Sequence, residues 1–576
     1  MIKLARSAGF CMGVKRALDI VLELSRTTDG PIYTDGPLIH NPQIIALLER
    51  KGIESLAGVG APSRGLIVIR AHGVSPGRRE ALRRIGLPLH DATCPDVAKV
   101  QAIVNKYSRR GYEIAIVGDR GHAEVEGLLG YSRGLARVIS GPEDVEALGR
   151  GAKVCVVAQT TQDVSLFGEL AERIRTRVSE CVVCDTICRS TKERQREAIA
   201  LARSVDAMVV VGGRSSANTA RLVKICGETG VTVFHVESEK DCDALSLHHV
   251  NRVGVTAGAS TPHWVIERVV ERLGAILSQE RRGATRCAGI IGRGLIRTHL
   301  YTALAAACLY VAACLFQAVP AQAPLAVALG ACILCVHLAN RIGGRGLLSH
   351  GEETLTQEYY RDHRKSLSSL AVVSGGLSLW IAARIQHVLL LCYLALIVMG
   401  LYYSFEERIV KGVRRRGGWS LRMLPASKDI FVATAWMVAI VLGPRLVAQA
   451  PWTFRATAAC GYVFGLVFIR SIFHDLRTIH DDTIVGKETI PTLMGIRGTE
   501  LILGGAMVGM CALLLASAIP AGLKFALAVP FAYSAIYFVL YRRRFAAGGV
   551  WCDALADGQF IAAGMSALIW SAAAQG

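Results

Sequence analysis

The chain has 576 residues, 52% of them hydrophobic, and a formal net charge of +19. That length requires at least two domains. Its 17 cysteines are scattered, nine of them beyond residue 280 and mostly inside apolar stretches, which excludes a disulfide framework. The arginines of the second half sit in short loops between apolar spans, so the positive-inside rule accounts for the charge and no nucleic-acid partner is expected.

Ile2-Lys3-Leu4 opens a strand directly, so no signal peptide is expected and the first half should stay in a reducing cytosol. The turn Gly9-Phe10-Cys11-Met12-Gly13 follows, then helical periodicity from Val14 to Leu24. Leu66 to Ile69 reads as a buried strand ending at Ala71-His72-Gly73-Val74. Asp91-Ala92-Thr93-Cys94-Pro95 opens a helix, with Pro95 in its first turn. Ile114 to Val117 leads into Gly121-His122-Ala123-Glu124, and Val154 to Ala158 into Gln159-Thr160-Thr161. Ala207 to Val211 leads into Gly212-Gly213-Arg214-Ser215-Ser216-Ala217-Asn218, and Val253 to Thr256 into Ala257-Gly258-Ala259-Ser260. An apolar strand, a small or polar loop and a helix recur, which is α/β architecture with its sites past the strand C-termini.

Three cysteines, Cys11, Cys94 and Cys188, stand at such strand ends, 83 and 94 positions apart. Those spacings are too long for one local metal loop and suit three similar α/β units, each lending one thiolate to a shared centre. A soft multi-thiolate site favours an iron–sulfur cluster, and three ligands leave one iron open to substrate. Cys181-Val182-Val183-Cys184 beside Cys188 reads either as a zinc knuckle or as part of the cluster loop. The His, Ser, Thr and Asn residues of the loops are donors suited to a diphosphate, although a lone strand-end histidine is more often structural. Glu124 is an acidic group among these donors and a candidate proton carrier.

These loops resemble 4-hydroxy-3-methylbut-2-enyl diphosphate reductase over about residues 1–280. The matching pieces are Gly9-Phe10-Cys11-Met12-Gly13-Val14, Ile39-His40-Asn41, Ala71-His72-Gly73-Val74, Asp91-Ala92-Thr93-Cys94-Pro95, Gly121-His122-Ala123-Glu124-Val125-Glu126-Gly127, Gln159-Thr160-Thr161, Ile187-Cys188 and Thr256-Ala257-Gly258-Ala259-Ser260. The resemblance implies Cys11, Cys94 and Cys188 as ligands of a 4Fe–4S cluster, with Cys181 and Cys184 as bystanders. It implies His40, His72, His122 and Thr160 around the substrate, and Ser216, Asn218 and Ser260 on its diphosphate. Glu124, with Thr160 and His122, would serve catalysis, Glu124 protonating the departing hydroxyl. Two electrons and proton delivery at either end of the allyl unit would give isopentenyl or dimethylallyl diphosphate. Reduced ferredoxin or flavodoxin is the implied electron donor. Ala217 departs from relatives that carry a second serine there, which removes one hydroxyl from the diphosphate loop.

Arg281, Arg282, Arg286, Arg293 and Arg297 mark 281–297 as a basic linker. Residues 298–576 then read as an all-α polytopic membrane half. Nine apolar spans are expected, at 298–318, 323–339, 366–384, 386–405, 429–449, 453–472, 500–518, 522–541 and 558–574. The Arg-rich loops, such as Lys411-Gly412-Val413-Arg414-Arg415-Arg416, alternate with short, weakly charged ones. That pattern predicts a multi-pass protein of the cell inner membrane, in contact with its lipid, with the N-terminus in the cytoplasm and the C-terminus outside. Loops after the second and sixth spans carry Asn340 and the run His474 to Asp482; clustered carboxylates there can bind magnesium and through it a diphosphate, or simply be solvated.

This half resembles the UbiA-type intramembrane prenyltransferases. Asp475, Asp481, Asp482 and Gly486-Lys487-Glu488-Thr489-Ile490-Pro491 match the second motif. The resemblance implies Asn340, Asp475, Asp481, Asp482 and Lys487 as the magnesium and polyprenyl diphosphate site. In the first motif, Asn is followed by aspartates one, four and eight positions on; here those places hold Arg341, Gly344 and Leu348, while Glu352, Glu353, Glu358 and Asp362 fall out of register. Ordinary prenyl transfer is therefore in question, and a silent membrane anchor or lipid-binding module is the alternative.

Overall fold

The computed structural model describes residues 2–28, 30–56, 62–247, 250–279, 284–343, 355–413, 427–485, 489–542 and 550–575. It divides into two compact units, Met1–Leu277 and Ser278–Gly576.

The first unit holds twelve strands: β1 (Ile2–Leu4), β2 (Ile32–Thr34), β3 (Ile53–Ser55), β4 (Leu66–Ile69), β5 (Leu89–Asp91), β6 (Glu113–Val117), β7 (Ala136–Ile139), β8 (Lys153–Ala158), β9 (Glu180–Val183), β10 (Ala207–Val211), β11 (Thr232–Val236) and β12 (Val253–Ala257). They form three four-stranded sheets, ordered β3-β2-β4-β5, β7-β6-β8-β9 and β11-β10-β12-β1. Every pairing is parallel, as in Ile67 against Leu89, Ile116 against Val157, and Lys3 against Gly254. The three orders are the same pattern, with one difference: the edge strand of the third sheet is β1, from the start of the chain. The three-unit reading therefore holds, and the third unit is closed by the chain's own beginning.

The central strands read as unbroken apolar runs because both faces are covered. Along β6 and β8, Ala115, Val117 and Val156 pack with Phe167, Leu170 and Ile174 on one face. Ile114, Ile116 and Val157 pack with Val100, Val104 and Leu128 on the other, as the two-residue strand period dictates.

In the second unit, seven helices among the described residues are long and apolar enough to cross a membrane: Leu300–Gln317, Ala323–Gly343, Arg364–Ile385, Lys428–Ala448, Phe454–Arg477, Ile490–Ala516 and Ala521–Val539. The two other expected spans are helical as well, one a shorter apolar segment, His387–Tyr402, and one within Val550–Gln575. The expected basic linker contains a helix, Ala284–Arg297. Pro444 cannot donate to the helical ladder, and a π-helical turn, Val438–Leu442, precedes it within the fifth expected span. The polar stretch His474 to Asp482, expected as a loop, is instead the continuation of the helix Phe454–Val485.

Candidate functional site

Each sheet of the first unit directs three loops to one place, those after its first, third and fourth strands. Each cysteine follows a fourth strand: Cys94 follows β5, Cys188 follows β9 and Cys11 follows β1. Each is the N-cap of the next helix, Met12–Thr27, Pro95–Ser108 or Arg189–Ala202. Each backbone N–H donates to a carbonyl of the third-strand loop in its own unit: Cys11 to Ala259 at 3.1 Å, Cys94 to Ala71 at 2.9 Å and Cys188 to Thr160 at 3.0 Å. Three helix N-termini with their partial positive charge thus surround the thiols. Cys11 Sγ accepts from the Val14 N–H at 3.5 Å and Cys188 Sγ from the Thr191 N–H at 3.4 Å. Burial pushes the Cys94 and Cys188 thiols up from their ordinary pKa, and the Cys11 thiol adds to that rise in both. The Cys11 and Cys94 thiols both stand beside Gly13. Gly13 keeps the way open: a Cβ there would lie 2.6 Å from Cys94 Sγ and 3.9 Å from Cys11 Sγ.

The first- and third-strand loops bring the remaining predicted residues together. The rings of His40, His72 and His122 stand 4.9, 6.1 and 5.5 Å apart, and one nitrogen of each lies within 4.8 Å of the others. Burial lowers all three pKa values, His72 well below 6.5 and His122 to about 4, so the rings are neutral at pH 7. His122 Nδ1 accepts the Glu124 N–H at 3.2 Å, which leaves its proton on Nε2. Glu124 is 2% exposed. Its Oε1 accepts the Thr160 N–H at 2.7 Å and its Oε2 the Thr160 hydroxyl at 2.9 Å. Burial outweighs these bonds and raises its pKa to about 7. Ser216 caps the helix Ala217–Gly227, and Asn218 Nδ2 is buried with no partner. Ser260 Oγ donates to the His40 carbonyl at 3.0 Å, joining the third unit to the first histidine loop.

A model of the LytB protein family matches residues 2–274. The 4-hydroxy-3-methylbut-2-enyl diphosphate reductase of Geobacter sulfurreducens is 43% identical over 272 residues, 47% of this chain and 96% of that one. The chain belongs to the 4-hydroxy-3-methylbut-2-enyl diphosphate reductase family. A solved structure of such a reductase, described as the terminal enzyme of the non-mevalonate pathway, is 39% identical and covers 48% of this chain and 99% of its own, with a TM-score of 0.37. A solved UbiA homologue from Archaeoglobus fulgidus, bound to DMAPP and Mg2+, is 16% identical and covers 48% of this chain and 99% of its own, with a TM-score of 0.34.

In the reductase unit, arginines that the sequence reading passed over hold the loops, and Arg194 among them is buried. Arg194 donates to the Gly9 carbonyl at 2.8 Å and the Ala257 carbonyl at 2.6 Å, fixing the Cys11 loop. Arg16 donates to the Thr93 carbonyl at 2.9 Å, next to Cys94. Arg221 grips both Asp119 oxygens at 2.6 and 2.7 Å and the Thr161 carbonyl at 3.0 Å. Cys181 lies in β9 and Cys184 just past it, where the Cys184 N–H donates to the Val156 carbonyl at 2.9 Å. Neither caps a helix as Cys188 does.

Beyond the reductase unit, Asp475 is buried on the helix Phe454–Val485 and ion-paired to Lys428. Asn340 and Arg341 end the helix Ala323–Gly343. Asp481 and Asp482 share the helix of Asp475, their side chains lying outside the described residues together with Lys487, Arg345, Glu352 and Glu353. The sequence reading missed a set of paired charges between this helix and others of the unit. Arg470 pairs with Asp557, which also accepts the Thr302 hydroxyl at 2.6 Å. Arg477 pairs with Asp553 at 2.8 Å, and Ser471 bonds Asp429. Asp553 and Asp557, one turn apart in an apolar helix, and Arg470 within an apolar span were the available signals.

Proposed function

We propose that the first unit, about residues 1–280, reduces 4-hydroxy-3-methylbut-2-enyl diphosphate to isopentenyl and dimethylallyl diphosphate, taking up two electrons and two protons and releasing water. The observation that carries the reading is the threefold equivalence of Cys11, Cys94 and Cys188, each an N-cap after the fourth strand of its own unit. Three thiols beside helix N-termini are the donor set for a 4Fe–4S cluster with one iron not bound by protein. When bound, the cluster supplies the electrons and an open iron for the substrate hydroxyl.

The chain's own residues do the rest. His40, His72 and His122, neutral and half-buried, offer N–H donors. Ser216, Asn218 and Ser260 complete the diphosphate cradle, and the unpartnered Asn218 Nδ2 is a donor awaiting an acceptor. Glu124, with a pKa of about 7, is protonated often enough at neutral pH to give its proton to the leaving hydroxyl, and Thr160 holds it in place. A reduced ferredoxin or flavodoxin is the electron source. The test is anaerobic purification of the full chain in detergent and assay with a reduced dye. Both five-carbon products are expected; an iron-loaded protein that forms neither would overturn the reading.

The second unit, about residues 298–576, is read as a UbiA-type domain in the inner membrane, with the reductase on its cytoplasmic side and the C-terminus outside. Its apolar helices and the motif around Asp475 support this. It binds a polyprenyl diphosphate with one magnesium site, at Asp475, Asp481 and Asp482 with Lys487, while Asn340 and Arg341 stand where the other motif has lost its carboxylates. The Lys428–Asp475 pair must open for a cation to enter. Assay of the detergent-purified chain for magnesium-dependent prenyl transfer separates an active domain from a silent anchor.

A further inference from the structure

We propose that Arg70 is a further diphosphate-binding residue of the reductase site, supplying the positive charge that its neutral donors lack. The proposal rests on the reading of this site as a diphosphate pocket. A phosphate ester carries close to two charges at neutral pH and a diphosphate about three. The donors assigned to it are three imidazoles, two hydroxyls and an amide, none of them charged. Burying such an anion among neutral groups is costly without a cation.

The charged groups around the histidines are few. Arg221 is neutralised by Asp119, which faces His122, through both carboxylate oxygens at 2.6 and 2.7 Å. Asp35 is held by Arg78 Nε at 3.1 Å and Nη2 at 2.7 Å. Glu124 adds negative charge once ionised. Arg70 is the remainder: among the described residues it forms no ion pair within 4 Å. With Arg70 the local sum is one positive charge when Glu124 is protonated. Without it the sum is zero or negative.

Arg70 is also placed and held. It leaves β4 two residues before His72, and its carbonyl accepts the Gly73 N–H at 3.0 Å, so the turn that sets His72 sets Arg70 too. Its guanidinium lies against Gly36, where φ is +80° and an added Cβ would stand 2.8 Å from Nη1 and 3.4 Å from Cζ. Gly36 precedes His40 in the same loop. The Arg70 Nε is buried with no hydrogen-bond partner, an unspent donor beside the site. The field of Arg70 reaches each ring: it lowers the pKa of His40, His72 and His122 alike.

The experiment is calorimetric titration of inorganic pyrophosphate into the full-length protein, comparing wild type, Arg70→Met and Arg70→Lys at pH 8 and pH 6. At pH 8, Arg70→Met should bind about 10- to 100-fold more weakly than wild type, the worth of a hydrogen bond to a charged group. At pH 6 the gap should narrow, because His40, whose pKa is lowered less far than those of His72 and His122, takes up a proton more readily once the Arg70 field is gone and restores part of the charge. A merely structural role would not make that recovery. Arg70→Lys should stay near wild type. Equal binding by Arg70→Met and wild type at pH 8, or a loss in Arg70→Lys as large as in Arg70→Met, would overturn the assignment. Failure of wild type itself to bind pyrophosphate would instead sink the diphosphate reading.

Discussion

Thr160→Val tests how Glu124 is tuned. Valine keeps the shape and the backbone N–H that meets Oε1 at 2.7 Å, and deletes only the hydroxyl that meets Oε2 at 2.9 Å. A hydrogen bond to an ionised group contributes about 1.5–3 kcal/mol. Part of that is lost from the difference because the hydroxyl can also accept from the protonated acid, so about 1.4 kcal/mol is a fair share, or about one pKa unit. The Glu124 pKa, about 7 in the native protein, should therefore rise by about one unit. A general acid works only while protonated, so kcat/KM should fall on the alkaline side as Glu124 ionises. In the variant that limb should move to higher pH by about one unit, measured anaerobically with a reduced dye from pH 6 to 9.5. An alkaline limb that stays in place, in a variant that still holds its iron and binds pyrophosphate normally, would refute the assignment of the limb to Glu124.

Glu124→Gln should cost about two to four decades in kcat with the cluster retained. It should also raise the melting temperature more at pH 8 than at pH 5: the native pKa lies above the ordinary 4.5, so the native state loses stability as pH climbs from there through about 7, and Gln escapes that loss. Cys11→Ser, Cys94→Ser and Cys188→Ser should each abolish the visible absorption of thiolate-bound iron, whereas Cys181→Ser and Cys184→Ser should keep it; the reverse for Cys184 and Cys188 would reassign the ligand. Gly13→Ala drives a methyl to 2.6 Å from Cys94 Sγ, so iron content should drop well below wild type while far-UV circular dichroism is unchanged. Asp475→Ala and Arg341→Ala should each weaken binding of a labelled prenyl diphosphate to the detergent-purified chain by roughly tenfold, and no binding by wild type, with or without magnesium, would favour the silent anchor.

The long apolar strands were legible because burial on both faces leaves an unbroken run, as in Leu66–Ile69 and Val154–Ala158. The edge strands β3, β7 and β11 were not, because one side of each is open and its composition is mixed. Strand β5, Leu89-His90-Asp91, is three residues long and two of them are exposed, yet it positions Cys94. The site's chemistry was written in small polar residues after strands, but its supports were not. Arg194 binds carbonyls 185 and 63 positions away, and nothing local in the sequence distinguishes it from a surface arginine. Arg70 carried a local hint, standing directly before Ala71-His72, but only the loss of partners around it makes the charge informative. In the second unit the polar run from His474 to Asp482 suggested a loop, whereas pairing of Arg477 with Asp553 lets the helix continue.

The charge pairs of the second unit bear on how the chain enters a bilayer. Arg470 and Arg477 lie on one helix, while Asp553 and Asp557 lie on the last, about 80 residues later in synthesis. A lone charge in hydrocarbon is expensive, a few kcal/mol even by insertion scales. Neither helix is therefore a good passenger by itself. The earlier one must wait, shielded by water or by the insertion machinery, until the last emerges and the two can leave for lipid as a neutral pair. Removing the final helix then does more than shorten the protein: it strands two arginines in the membrane, and cellular quality control should clear such a truncated chain faster than one carrying a deletion of equal length in a charge-free helix.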